Sequence, residues 1–229
     1  MNFLSHFYLD WHLDDSLFFM GVSTPDLVSV FDRNVRLKEN RMPSFIPGET
    51  PPNCESFRIG VLRHFEVDRI FHTSDFFYEE THRLSRMIES RIPAHELHRV
   101  FFVSHVLFEL VLDKILIHEE PDLLPAFYRH LEEYSIPEFV KLTEWVTQVD
   151  MPGYDGFLNR FMSKRYLREY TDWQQVFFIL RKIMVGVGIT KYQYLKDPVF
   201  FDLMKEYEAG LAERFQDGFA QIQLQLRLV

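Results

Sequence analysis

A single cysteine, Cys54, stands in 229 residues. That excludes an intramolecular disulfide and a cysteine-based zinc site. Its surroundings, Pro51-Pro-Asn-Cys-Glu55, hold no cation to stabilise a thiolate, so a bystander thiol is the expectation. No stretch approaches the roughly 18 uninterrupted apolar residues of a membrane span. The N-terminus lacks the basic segment and long apolar core of a secretory signal. A soluble cytoplasmic protein follows as the expectation. Gly-rich phosphate loops, a dinucleotide fingerprint and a Gly-x-Ser-x-Gly elbow are all missing, which disfavours nucleotide-dependent kinases, dehydrogenases and α/β-hydrolases. Net positive charge is missing too. At −9, the chain is a poor candidate for sequence-independent nucleic-acid binding.

What is abundant is apolar and aromatic mass: 47% hydrophobic and 16% aromatic residues, with 24 Phe, are ample for a sizeable core. β-signals are weak, with no Asn-Gly or Asp-Gly hairpin between alternating strands. The dominant apolar period is helical. Helices are expected near 2–9, 14–23, 55–73, 75–90, 94–117, 121–133 and 136–148, and from Trp173 to Val187 after a Thr171-x-x-Gln174 capping pattern. Ser135-Ile-Pro-Glu138 is a second start signal. Phe200, Met204, Tyr207, Leu211, Phe215, Phe219, Ile222 and Leu226 suggest one long C-terminal helix. Breakers gather in Met42–Asn53, a loop that could cover a site, and in Asp150–Gly156, a hinge or a plain helix connection. The expectation is an all-α, single-domain helical bundle over 1–229.

Two helix-length segments each carry three metal-capable side chains four residues apart: His64, Asp68 and His72, then His105, Glu109 and Asp113. A four-residue step drifts only about 40° around a helix, so each trio lines one face. Both trios lie among apolar residues, where imidazole or carboxylate is costly unless paired or metal-bound. A solvated polar stripe is the plainer explanation for the first trio. Arg63, Glu66 and Arg69 already provide such a stripe on another face, however. Asp113 could instead pair with Lys114 or end its face in solvent. Nine of the ten histidines lie at or before position 118, which confines imidazole chemistry to the first half. His6, inside Met1-Asn-Phe-Leu-Ser-His-Phe-Tyr-Leu9, reads by spacing alone more readily as a hydrogen-bonded core residue than as a ligand. Asp26, after Ser23-Thr-Pro, reads on its own as a helix N-cap. A mixed His and carboxylate set suits Mn²⁺, Mg²⁺, Fe²⁺ or Zn²⁺. Such an ion acidifies bound water and neutralises charge on a phosphoryl oxygen, with Arg58, Arg63 or Arg69 available to hold a phosphate.

The opening Met1-Asn-Phe-Leu-Ser-His6 closely resembles the Met-Asn-Phe/Tyr-Leu-Ala-His start of bacterial acyl carrier protein phosphodiesterases. Met20-Gly-Val-Ser-Thr-Pro-Asp26 stands where that family has a Gly-Asp pair. Gly60-Val-Leu-Arg-His-Phe-Glu-Val-Asp-Arg-Ile-Phe-His72 matches its signature Gly-Ile-x-x-His-x-x-Ile-Asp-x-Phe-Thr-Asp, with His72 in place of the last Asp. The later Asp-x-x-x-Asp-His appears as His105-Val-Leu-Phe-Glu109-Leu110, so an apolar residue replaces the family's final His. The resemblance covers residues 1–118; helices in 119–229 would complete the bundle.

It implies a fold similar to the HD-type metal-dependent phosphohydrolases. It also implies a divalent-metal activity, most often with Mn²⁺ or Mg²⁺, that removes 4′-phosphopantetheine from holo-acyl carrier protein in fatty acid biosynthesis. The implied metal residues are His6, Asp26, His64, Asp68, His72, His105 and Glu109, with His64 and Asp68 catalytic and Arg63 and Arg69 on phosphate. Acyl carrier protein is acidic, so a basic docking surface is expected. Arg83, Arg86, Arg91 and Arg99 supply one, with Arg33, Arg36, Lys38 and Arg41 a second patch. Leu110 favours the alternative, a non-catalytic or substrate-shifted relative that binds a carrier protein or an effector. A di-iron oxidase is a third reading. It lacks the paired Glu-x-x-His motifs, Glu79-x-x-His82 being the nearest match.

Overall fold

The computed structural model describes residues 1–46, 50 and 53–228. Among them there is no strand. The α-helices are α1 (Phe3–Asp10), α2 (Ser16–Phe31), α3 (Asn53–Thr73), α4 (Asp75–Arg91), α5 (Val100–Glu119), α6 (Leu123–Glu132), α7 (Ile136–Thr147), α8 (Tyr154–Ser163), α9 (Trp173–Gly186), α10 (Pro198–Ala212) and α11 (Phe215–Leu226). Short 3₁₀ turns separate several of them. The breaker segment Met42–Asn53, considered above as a cover, falls partly outside the described residues at 47–49 and 51–52.

Packing gathers the chain into two compact units, both discontinuous in sequence. The first consists of Asn2–Arg69 and Glu120–Leu167. There α1, α2 and α6 pack mutually, and α8 packs on α6 and α7. Phe7 sits edge-on to Phe19 at 4.5 Å and to Phe127 at 5.6 Å, while Phe3 meets Phe161 at 5.4 Å. All five rings are buried, each contributing about 2 kcal/mol of transfer free energy. Ser135 opens α7 with the expected reciprocal capping box to Glu138.

Helix α2 runs further than its sequence suggests, because it continues through Pro25. An interior proline forfeits the bond to the carbonyl four residues earlier, here Gly21. In that turn the Ser23 and Thr24 hydroxyls bond back to Phe19 and Met20 carbonyls at 2.9 and 2.7 Å. Leu27 and Val28 beyond it are fully buried, which offsets the loss. Asp26 therefore lies inside a helix and is not an N-cap.

Two glycines set how α2 meets α3. A Cβ on Gly21 would overlap the Phe57 carbonyl, and a Cβ on Gly60 would overlap the Phe18 carbonyl. The backbones touch at both points, so no larger residue fits without moving a helix. Cys54 is buried in the first turn of α3, and burial pushes its thiol up, in keeping with an inert role.

The second unit comprises Met1, Ile70–Glu119 and Arg168–Val229. Helix α4 packs along α5, and α10 lies against both. Phe71 and Phe108 stack at 5.6 Å, and Phe76 fills the space that the missing side chain of Gly218 leaves. The expected long C-terminal helix is two helices. Arg214 interrupts it, turning its N–H to Leu211 O and its guanidinium to buried Glu80, with Nε 2.9 Å from Oε1. Leu211, Phe215 and Phe219 stay buried across the break, so the apolar period alone hides it. The expected Thr171 cap is also corrected. Asp172 accepts from Gln174 N–H, while the Thr171 hydroxyl bonds back to Arg168 O.

Overpacking against backbone leaves no side chain to yield. We expect Gly21→Ala and Gly60→Ala each to cost about 2 kcal/mol or more in urea unfolding. Gly156→Ala, whose Cβ would meet only the tip of Arg160, should change stability by less than about 1 kcal/mol, on the stabilising side.

Candidate metal centres

The α2–α3 crossing fixes a histidine. One turn beyond Gly60, His64 is 4% exposed, and its Nδ1 lies 2.9 Å from the Val22 carbonyl next to Gly21. A carbonyl oxygen can only accept, so Nδ1 carries the proton and Nε2 presents a lone pair. Burial, then the adjacent His6, push His64 well below its ordinary pKa, and the ring stays neutral near pH 7.

That lone pair faces acceptors. Nε2 of His64 is 3.7 Å from Asp68 Oδ2, and His6 Nε2 is 3.2 Å from Asp68 Oδ1. The His6 and His64 rings stack at 3.9 Å with 19° between planes. His6, Asp26 and His64 offer ligand atoms within 4.8 Å of one another. Three donors from α1, α2 and α3 thus converge, and half-buried Asp68 stands beside the two imidazoles. Two nitrogens and two carboxylates form a set that suits a divalent ion.

His72, His105 and Glu109 form a separate group in the second unit. His72 ends α3, and His105 and Glu109 are one turn apart on α5. His72 Nε2 lies 3.1 Å from His105 Nε2 and 3.2 Å from Glu109 Oε1, and His105 Nε2 lies 3.0 Å from the same oxygen. The Met1 ammonium is 3.2 Å from it as well. Burial alone would raise the Glu109 carboxyl, but this ammonium and the two imidazoles hold it well below the usual carboxylate range. The seven implied metal residues therefore fall into two groups. Asp113 belongs to neither: it is fully buried, contrary to the solvent placement considered for it. Leu110 is buried apolar core.

The implied phosphate residues differ in what they touch. Arg63 is spent on carboxylates, with Nε and Nη2 forking onto Asp10 at 2.8 and 3.0 Å and Nη1 on Glu66 at 2.9 Å. A bidentate, partly buried pair of this kind is strong, so the expectation of Arg63 on phosphate is corrected to a brace between α3 and α1. Arg58 is turned to the Pro43 carbonyl. Arg69 makes a 2.9 Å pair with Glu39 in which both side chains are more than half exposed, a contact that exchanges easily. Of the docking arginines, all exposed, Arg91 holds Glu206 at 2.6 Å and Arg83 lies 3.6 Å from Glu80.

One arrangement has no sequence signal, because Ser16 lies more than a hundred residues from its two partners. Ser16 Oγ lies 2.8 Å from His130 Nδ1 and 2.7 Å from Glu133 Oε2. It is not a nucleophile and base. The single hydroxyl proton goes to Glu133, so Nδ1–H must donate to the hydroxyl, and His130 has no lone pair there to take a proton. The set ties the start of α2 to α6.

Compared with known protein families, curated proteins and solved structures, the chain gives no match.

Burial, then Arg129, lower the His130 pKa, against the opposing pull of Asp14, Glu133 and Asp15. As pH falls through about 6.5, the unfolded chain takes up this proton before the folded one, so the stability present above that pH is lost below it. We expect the urea midpoint of chelator-treated protein to be lower at pH 5.5 than at pH 7.5. His130→Asn should shrink that difference; an unchanged difference would assign the slope to other groups.

Proposed function

We propose that His6, Asp26, His64 and Asp68 hold a divalent ion, Mn²⁺ or Mg²⁺ first, and that this centre hydrolyses a phosphodiester. The reading follows the resemblance to acyl carrier protein phosphodiesterases and a fold of the HD-type phosphohydrolases. It makes 4′-phosphopantetheine on holo-acyl carrier protein the first substrate to test. The observation that supports it most is the fixed tautomer of His64. A neutral imidazole is held by the Val22 carbonyl so that its lone pair faces Asp68 Oδ2 at 3.7 Å, where one cation would be ligated by both.

Bound there, an ion would supply Lewis acidity, making water a nucleophile at neutral pH and screening charge on the phosphoryl oxygens. The protein's own share is placement. His64 and His6 are buried and stacked, so their nitrogens cannot swing away. Asp68, its side chain about a third exposed, borders the approach from solvent and would orient an incoming water. Arg69, the next residue, can exchange Glu39 for a substrate phosphate. The arginines Arg83, Arg86, Arg91 and Arg99 would dock the acidic carrier protein.

Leu110 favours a second reading, a relative that binds but does not cleave. A single assay separates the two. Purified protein with Mn²⁺ and holo-acyl carrier protein should release 4′-phosphopantetheine and leave apo-protein. His64→Ala and Asp68→Asn should each lower kcat/KM by about 100-fold or more. Arg86→Glu with Arg99→Glu should raise KM and leave kcat unchanged. No product with Mn²⁺, Mg²⁺, Fe²⁺ or Zn²⁺, while an authentic family enzyme turns over alongside, would sink the hydrolase reading; carrier-protein binding without product would support the second.

A further inference from the structure

We infer that His72, His105 and Glu109 form a second divalent-metal site with its own specificity, for Zn²⁺ over Mn²⁺ and Mg²⁺. This inference stands on the geometry of the three residues and does not rest on the hydrolase reading.

Three atoms, His72 Nε2, His105 Nε2 and Glu109 Oε1, are mutually 3.0–3.2 Å apart. Each of the three edges needs a proton or a cation, and protons cannot serve all three. If both imidazoles carry hydrogen on Nε2 and donate to Glu109, the two N–H groups collide across a 3.1 Å gap. If only one does, the other presents its lone pair to a carboxylate. The Met1 ammonium beside Glu109 adds a charge at the oxygen, but a single Nε2 proton shared between the rings still turns the other ring's lone pair toward Glu109. One ion facing the three lone pairs satisfies them together. The spacing fits as well. Ligands about 2.0–2.1 Å from a metal are about 3.0 Å apart at octahedral angles and about 3.3 Å at tetrahedral ones.

The rings are held for this. Phe77 stands edge-on to both, 4.9 Å from His72 and 4.8 Å from His105, and Phe71 closes on His72 at 5.2 Å. Glu109 and His105 sit one turn apart on a helix, and neither needs backbone motion to bind. The two histidine side chains are about a third exposed, so an ion can enter, and a coordination position would face solvent. Two imidazoles among three protein ligands favour a borderline ion over the hard Mn²⁺ and Mg²⁺. His₂Glu with an open position is a ligand set that zinc adopts.

Calorimetric titration with Zn²⁺ and Mn²⁺, supported by the visible absorption of a Co²⁺ derivative, tests this on the full chain. Wild-type protein should take one Zn²⁺ at a site that Mn²⁺ does not compete for. His105→Ala and Glu109→Gln should each weaken that Zn²⁺ by more than about 100-fold, beyond what loss of an outer hydrogen-bond partner costs. His64→Ala should leave it intact. Glu109→Gln keeps the side-chain volume, so at least one variant should unfold with the wild-type midpoint. Zn²⁺ binding that survives both substitutions, or is abolished by His64→Ala alone, would overturn the second site. Loss of Mn²⁺ binding in His64→Ala with Zn²⁺ retained would separate its fate from that of the proposed catalytic centre.

Discussion

Contact between two helix backbones, with nothing between them, is the constraint on which the rest depends. Gly21 and Gly60 let α2 and α3 meet carbonyl to Cα, and no other residue type allows that distance. The crossing puts Val22 O within reach of His64 Nδ1. That bond decides the tautomer, the tautomer decides where the lone pair points, and the lone pair points at Asp68. Packing thus determines the protonation state of a side chain four residues further along α3. Had the helices been separated by side chains, His64 could rotate or take its proton on the other nitrogen, and the donor set would lose its common focus.

Polar groups in this core fall into two kinds. Arg63 with Asp10 and Glu66, and Arg214 with Glu80, are closed: every charge meets its opposite and the groups are structural braces. The histidine clusters are open. They bring imidazole nitrogens and carboxylate oxygens together in groups that could hold a metal ion. The distinction is physical and not one of residue type, since buried His130 and Ser16 look catalytic by composition yet close on themselves. Natural cores that retain such groups generally do so for binding or catalysis.

Much of this was legible from sequence, for identifiable reasons. Helix content, the faces of α3 and α5 and the Ser135 cap follow from local periodicity and capping chemistry, which need no partner. His64 with Asp68, and His105 with Glu109, are one helical turn apart, so their proximity is written in the spacing. Division of seven residues into two groups was not legible, because His72 lies on the same face as His64 and only the helices packed around each end sort them. The reach of α2 through Pro25 was hidden by a residue that usually ends helices. The break at Arg214 was hidden because it preserves the apolar period. Arg63 looked like a free cation until its partner Asp10, 53 residues away, was placed beside it.

The centre built on that helix crossing is tested most directly by a crystal grown with Mn²⁺ and measured for anomalous scattering. The expected result is a manganese peak bounded by His6, Asp26, His64 and Asp68, about 2.0–2.3 Å from His64 Nε2, with His64 Nδ1 still bonded to Val22 O. A peak elsewhere, or a His64 turned so that Nε2 leaves the cluster, would contradict it.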